Sequence, residues 1–133
     1  MGRYFTLSEL CHSSVAIAEG MDNRPTPAAK VNILTLINNC LDPIRECWGK
    51  PITVNSGFRS PMLNRKVGGV ANSQHMKGEA ADLTTGTREG NMQLFELIQT
   101  CGVDFDQLID ESDYAWVHIS YRAQGNRKQV LHL

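Results

Sequence analysis

The chain has 133 residues and a mass of 14.8 kDa, which suits one domain around a single hydrophobic core and is too short for two. Hydrophobic residues make up 41% and charged residues 20% of the sequence, so neither intrinsic disorder nor a membrane protein is indicated. Thirteen basic and fourteen acidic side chains give a net charge of -1, which supplies no positive field for a nucleic acid. We therefore expect one folded, monomeric domain over residues 1–133 that does not bind nucleic acid.

The first residues, Met1 to Thr6, run directly into a helix-start pattern. They lack the apolar core and the small-residue cleavage site of a signal peptide. No apolar run approaches the ~20 residues that a membrane span needs. The sequence therefore predicts a chain that is cytoplasmic as synthesised.

Two helix starts are visible in the first part of the chain. Thr6 and Glu9 have the form of a capping box ahead of a first short helix. Thr26 followed by Pro27 predicts the start of the main amphipathic helix. Its apolar residues recur at spacings of three and four: Val31, Leu34, Ile37, Leu41, Ile44 and Trp48. Pro43 lies inside this pattern and predicts a kink, or a split after Leu41.

Short strands dominate the rest of the chain. Alternating apolar residues and turn signals predict strands at 52–54, 80–83, 105–110 and 116–121, with a last turn at 125–126 before an apolar pair at 130–131. Ser60 and Thr87 predict the caps of two further helices between the strands. Helices first and strands mostly later, without regular β-α-β alternation, indicate an α+β fold with a small, mainly antiparallel sheet packed against helices.

Three side chains form a candidate metal site. His75 and Asp82 stand seven residues apart across a glycine-containing turn, and Asp82 lies in the predicted apolar strand at 80–83. Alternation in the strand around His118 places this histidine on the face opposite Val117 and Ile119. Two imidazoles and one carboxylate are typical of catalytic zinc, which keeps a further position for water and lowers the pKa of that water to about 7.

The pattern Ser-x-His-x-x-Gly-x-Ala-x-Asp, followed by Trp-Val-His, is filled by Ser73, His75, Gly78, Ala80 and Asp82 and by residues 116–118. It resembles the metal motif of the zinc D-alanyl-D-alanine carboxypeptidases. That family includes vancomycin-resistance D,D-dipeptidases and phage endolysins that cut between L-alanine and D-glutamate, and it shares its fold with the hedgehog signalling domain. The resemblance spans roughly residues 5–121.

The resemblance implies a hedgehog/DD-peptidase-like fold in which His75, Asp82 and His118 bind one Zn²⁺ ion. It also matches Arg59 to an upstream arginine of the family. A guanidinium suits the terminal carboxylate of a peptide or the oxyanion of a tetrahedral intermediate, so Arg59 is a candidate for catalysis and for substrate binding. The implied substrates are peptidoglycan peptides, with the D-Ala-D-Ala bond first and the L-Ala-D-Glu bond second. The implied setting is a phage-type or other release route to the cell wall.

Hydrolysis also needs a general base that takes a proton from water and passes it to the leaving amine. Asp113, five residues before His118, and Glu111, seven before it, both qualify. The Glu-x-x-His arrangement of some family members is absent, because Ala115 stands three residues before His118. The sequence favours Asp113, on the assumption that the turn holds it over the metal, and keeps Glu111 as the alternative.

Two further residues are candidates for substrate binding. Ser73 is placed to orient a ligand or to hydrogen-bond near the metal, and Trp116 is placed to line a substrate cleft or to pack. A function of another class stays open alongside the peptidase: a non-catalytic zinc-bearing module that holds wall peptides or a protein partner. Such a module needs the ligands and the cleft, but neither Asp113 nor Glu111.

Overall fold

The computed structural model describes residues 3–133, so Met1 and Gly2, with which the predicted cytoplasmic start begins, lie outside the described residues. The α-helices of this part are α1 (Leu7–Cys11), α2 (Ser14–Glu19), α3 (Pro27–Leu36), α4 (Asp42–Trp48), α5 (Pro61–Lys66) and α6 (Arg88–Thr100). A π-helical turn, Ile37–Leu41, joins α3 to α4, and a 3₁₀ turn spans Gln74–Lys77. The strands are β1 (Thr53–Ser56), β2 (Ala80–Thr84), β3 (Gln107–Glu111), β4 (Trp116–Ser120) and β5 (Gln129–His132).

The strands form one sheet in the order β1-β2-β4-β3-β5. Its pairs are antiparallel except β3 and β5, which run parallel at one edge. The predicted α+β class and the mainly antiparallel sheet are therefore confirmed. The apolar pair at 130–131, predicted only as the sequel to a turn, belongs to the parallel edge strand.

The predicted helix caps are formed. The Oγ1 atom of Thr6 accepts the N–H of Glu9, and that of Thr26 accepts the N–H of Ala29. The predicted first helix is divided in two, because Ser13 provides a second side-chain cap to the N–H of Ala16.

Pro43 is accommodated without a break in the helical path. Proline has no N–H to donate and its ring crowds the preceding turn. The chain widens to a π turn immediately before it, and the N–H of Asp42 donates to the carbonyl of Ile37, five residues back. The predicted split after Leu41 thus takes the form of a change of helical type at that residue.

The two faces of the sheet have different roles. Alternate residues of β2, β3 and β4 point into the hydrophobic core, where they meet the helices: Ala81, Leu83, Leu108, Val117 and Ile119. Residues of the opposite parity line an open cleft, among them Asp82, Ile109, Glu111, Trp116 and His118. The helices thus cover one face, and the polar chemistry of the chain lies on the other.

None of the described helices has the length and apolar character needed to cross a membrane.

Candidate metal centre and its cleft

Strand pairing brings Asp82 and His118 together. They are direct cross-strand partners in the antiparallel register of β2 and β4. Such partners have neighbouring side chains on one face. The Nδ1 atom of His118 lies 2.9 Å from Oδ1 of Asp82. The register of β2 on β4 therefore brings together Asp82 and His118, which are separated by thirty-five residues in the sequence.

His75 reaches the same point from the 3₁₀ turn. The hydroxyl of Ser73 caps this turn by accepting the N–H of His75 at 3.1 Å. The Nδ1 atom of His75 lies 2.7 Å from the carbonyl oxygen of Gly57, which can only accept, so Nδ1 carries the hydrogen. The lone pair of the imidazole is then on Nε2, which lies 3.3 Å from Oδ1 of Asp82. A backbone carbonyl thus sets the tautomer and the direction of this candidate ligand.

The backbone of Gly57 also packs closely against helix α1. A Cβ at this position would lie 2.2 Å from the carbonyl oxygen of Leu10 in α1, so no larger residue fits. That same carbonyl accepts the N–H of Phe58 at 2.7 Å. Gly57 therefore connects helix α1 to the imidazole of His75.

The three candidate ligands form a compact, largely buried cluster. One donor atom from each of His75, Asp82 and His118 lies within 4.8 Å of the others. The two imidazole rings stand 5.1 Å apart at an angle of 67°. Two ring nitrogens and a carboxylate oxygen match the ligands of catalytic zinc, and the three residues therefore fit the metal that the sequence predicts.

Burial and hydrogen bonding act on Asp82 in opposite directions. Burial raises the pKa of its carboxyl group, whereas the hydrogen bond from His118 and the neighbouring imidazole of His75 lower it and prevail, so the pKa lies below its ordinary value. Asp82 is therefore an anion at neutral pH, the form in which a carboxylate binds a metal.

Arg59 lies beside the cluster, as the resemblance implies. Its Nη2 atom is 3.5 Å from Oδ2 of Asp82, and its side chain is 15% exposed. Its Nε donates to the hydroxyl of Ser56 at 3.1 Å, and its Nη1 to Oδ1 of Asn64 at 3.3 Å. The backbone N–H of Arg59 donates to the carbonyl of His75, which ties the arginine to the turn that carries the first imidazole.

The cluster opens into a cleft with a volume of about 590 Å³. Each predicted site residue except Asp113 lines it: Arg59, Ser73, His75, Asp82, Glu111, Trp116 and His118. The indole N–H of Trp116 donates to Oε2 of Glu111, which fixes this carboxylate on the cleft wall. The structure therefore brings the alternative base, Glu111, to the site together with a predicted substrate-binding residue.

Asp113, the base favoured by the sequence, lies elsewhere. Ser112, Asp113 and Tyr114 all have positive φ angles, between 51° and 64°, and the turn carries Asp113 to the N-terminal end of α6. There Arg88 donates to both carboxylate oxygens, and the Asp113 side chain is 76% exposed. The hydrogen bonds from Arg88 lower the pKa of Asp113. The assumption that this turn hangs over the metal does not hold, and Asp113 is not among the described residues that line the cleft.

Two polar groups near the site were not predicted from the sequence. Asn64 is 3% exposed and contacts Arg59, and Asp106 is fully buried against Arg127. Asn64 had a signal in the sequence, because asparagine is disfavoured inside helices unless its side chain has a local partner. Asp106 had none, because its partner Arg127 lies 21 residues further along the chain and no local pattern predicts a contact at that distance.

Residues 3–120 match the peptidase M15 family, and the chain belongs to this family. Over 85 residues it is 42% identical to the zinc D-Ala-D-Ala carboxypeptidase of Streptomyces albus G. This stretch covers 63% of the present chain and 32% of the relative, so the similarity extends over about a third of that protein. The suspected family is thereby confirmed.

Proposed function

We propose that residues 1–133 act as a single, monomeric zinc peptidase domain that removes the terminal D-alanine from peptidoglycan peptides ending in D-Ala-D-Ala. Membership of a peptidase family and the name of the Streptomyces relative support this proposal. The observation that carries it is the position of Arg59, whose guanidinium lies 3.5 Å from the carboxylate of Asp82, one of the three proposed metal ligands. A carboxylate bound there has its scissile bond close to the cluster, as a carboxypeptidase requires.

In the proposed reaction, His75 through Nε2, Asp82 through Oδ1 and His118 through Nδ1 would hold one zinc ion. When bound there, zinc would supply Lewis-acid chemistry at the peptide carbonyl and at the attacking water. Arg59 binds the terminal carboxylate with its planar fork of donors and orients the substrate. Ser73 keeps His75 aligned through the cap of the 3₁₀ turn, and Trp116 forms the wall beside the substrate.

Glu111 is the proposed general base. Its Oε2 atom is engaged by the indole of Trp116, so the carboxylate plane is fixed. The other oxygen, Oε1, takes the proton of the water and then delivers it to the nitrogen of the leaving amine. Asp113 has no proposed catalytic part, because Arg88 holds it outside the cleft.

The L-Ala-D-Glu bond is a second candidate. The lining of the cleft also includes Gln107, Arg127 and Leu133. These side chains offer contacts for a longer peptide, and an endopeptidase must bind peptide on both sides of the scissile bond.

Mass spectrometry of muropeptides after incubation with the zinc-loaded protein tests the proposal. The expected result is the loss of one D-alanine by pentapeptides, with no reaction in a chelated control or with the Asp82→Ala variant. Cleavage of the L-Ala-D-Glu bond would instead support the endopeptidase function over the carboxypeptidase function.

If all peptides stay intact although the protein holds zinc, the peptidase proposal fails. A peptide that then binds equally well to wild type and to Glu111→Gln would favour the non-catalytic binding module.

A further inference from the structure

Asn64 is a buried polar residue that makes contact with Arg59 and with the loop beside the cleft. It lies in α5 and is 3% exposed. Its Nδ2 donates to the carbonyl of Val70 at 2.9 Å, so this atom is the nitrogen. Its Oδ1 faces Nη1 of Arg59, which can only donate. The two partners thus fix the orientation of the amide without ambiguity.

The cleft loop, residues 67–73, closes directly over this contact. The N–H of Gly69 donates to the backbone carbonyl of Asn64 at 2.9 Å. A Cβ at Gly69 would lie 2.0 Å from Oδ1 of Asn64 and 2.9 Å from Nη1 of Arg59. Glycine is therefore required for the loop to pack on both side chains. The same loop leads to Ser73, which caps the turn of His75.

Arg59 has a competing attraction that Asn64 counteracts. Its Nη2 lies 3.5 Å from the anionic Asp82, and both side chains are largely buried, where charge attraction is strong. The hydrogen bonds to Ser56 and Asn64 hold the Nε and Nη1 sides of the guanidinium. Loss of the Asn64 contact would free the guanidinium to turn toward Asp82.

We infer that Asn64 is a positioning residue that holds the Arg59 guanidinium in the orientation that binds the terminal carboxylate of the substrate. This inference rests on the proposed function and adds to it a residue outside the metal motif. Asn64 acts through Arg59, and through the carbonyl of Val70 it also keeps the cleft loop in place.

Kinetics on two substrates that differ only at the terminus test the inference. These are diacetyl-L-Lys-D-Ala-D-Ala and its C-terminal amide, compared for wild type, Asn64→Ala, Asn64→Asp and the control Asn39→Ala. Asn39 is an exposed asparagine whose amide donates to Thr35 within the same helical segment. For Asn64→Ala we expect kcat/KM on the acid to fall about tenfold to a hundredfold, mainly through KM, and to change little on the amide.

Asn64→Asp separates the two contacts of the amide, because it keeps an oxygen for Arg59 and gives up the donor to Val70. It should retain the preference for the acid, and Asn39→Ala should match wild type. An equal loss on acid and amide in Asn64→Ala, with a lower melting temperature, would show a structural role only and overturn the inference.

A double substitution tests whether Asn64 acts through Arg59. Once Arg59→Ala has removed the guanidinium, Asn64→Ala should cause little further loss on the acid substrate. Losses that multiply independently would contradict the inference.

A measurement without substrate keeps this inference separate from the proposed function. The Nε hydrogen of Arg59 donates to Ser56 and should exchange slowly with water in wild type, as measured by NMR. In Asn64→Ala the guanidinium is free to turn away from Ser56, so this hydrogen should exchange at least tenfold faster. If wild type shows this protection but cleaves neither peptide, the peptidase proposal fails while the positioning of Arg59 stands. Equal exchange in both proteins would overturn the positioning role, whatever the activity.

Discussion

Glu111 and Asp113 stand two residues apart in the sequence, yet their surroundings differ. Glu111 is the last residue of β3 and lines the cleft, where Trp116 holds it. Asp113 lies on the left-handed turn and pairs with Arg88. Sequence distance from His118 could not separate them, because backbone conformation decides the direction in which a turn projects.

The choice of base gives a direct kinetic prediction. Glu111→Gln keeps the shape of the side chain and its bond to Trp116 but cannot take a proton. We expect kcat to fall by about 10²–10⁴ with zinc content unchanged. Asp113→Asn is the matched control and should keep activity within about a factor of two of wild type, since ion pairs on exposed surfaces contribute little. Steady-state kinetics and metal analysis of both variants provide the comparison. A large loss in Asp113→Asn with little loss in Glu111→Gln would instead identify Asp113 as the base.

Asp106 is the other carboxylate whose surroundings predict a measurable effect. The hydrogen bonds from Arg127 lower the pKa of this fully buried group below its unfolded value of about 3.9. A group with a lowered folded pKa stabilises the fold above its unfolded pKa, and this contribution is lost as the pH falls through the folded value.

We therefore expect urea unfolding of wild type to show stability that declines as the pH falls below about 4, with Asp106 contributing about 1 kcal/mol of the change, since Arg127 is half exposed. Asp106→Asn should show a flatter profile over this range. Identical slopes for the two proteins would assign the acid sensitivity to other carboxylates.

At the scale of elements, the sequence carried the features that depend on local chemistry. The caps at Thr6, Thr26, Ser60 and Thr87 are all formed as predicted. Proline at position 43 signalled an irregular helix, but either a kink or a π turn can accommodate the absent N–H, so the sequence did not decide between them. The parallel pairing of β3 with β5 depends on long-range contact and has no local signal.

The cap of α3 predicts a stability change. Thr26 accepts the N–H of Ala29 at the start of the helix that delivers Ile33 and Leu36 to the core. Thr26→Ala should lower the free energy of unfolding by about 1 kcal/mol. Thr100→Ala, at the exposed end of α6, is the matched control and should change it by less than about 0.5 kcal/mol. Urea titrations of both variants measure the difference, and an equal effect would mean that the cap contributes nothing of its own.

The arrangement of the three candidate metal ligands depends on the whole sheet. The three candidate ligands were predictable from the sequence, because alternation in β4 assigns a face to His118 and the motif pairs His75 with Asp82. Their distances were not, since they follow from the register of β2 on β4 and from the carbonyl of Gly57. The sequence likewise named both Glu111 and Asp113 as candidate bases, but it could not show which of them lines the cleft.

Because the proposed ligands come together only in the folded state, zinc should stabilise the fold. At a free zinc concentration of about 100 times the Kd, the linkage amounts to about 2.7 kcal/mol. We expect the melting temperature to rise on zinc addition and to fall after chelation, with no response in Asp82→Ala. Differential scanning calorimetry makes the comparison, and a wild-type melting temperature that is independent of zinc would contradict the proposed site.

The contact of Gly57 with helix α1 has a consequence for inactivation by heat. Helix α1 has five residues, and such a short element opens at lower free energy than the central sheet. When α1 detaches, the carbonyl of Leu10 leaves Phe58, and Gly57 loses the support that directs the imidazole of His75. The proposed activity, measured during a temperature ramp, should therefore decline before the circular dichroism of the sheet, so that it is lost while most of the fold is intact.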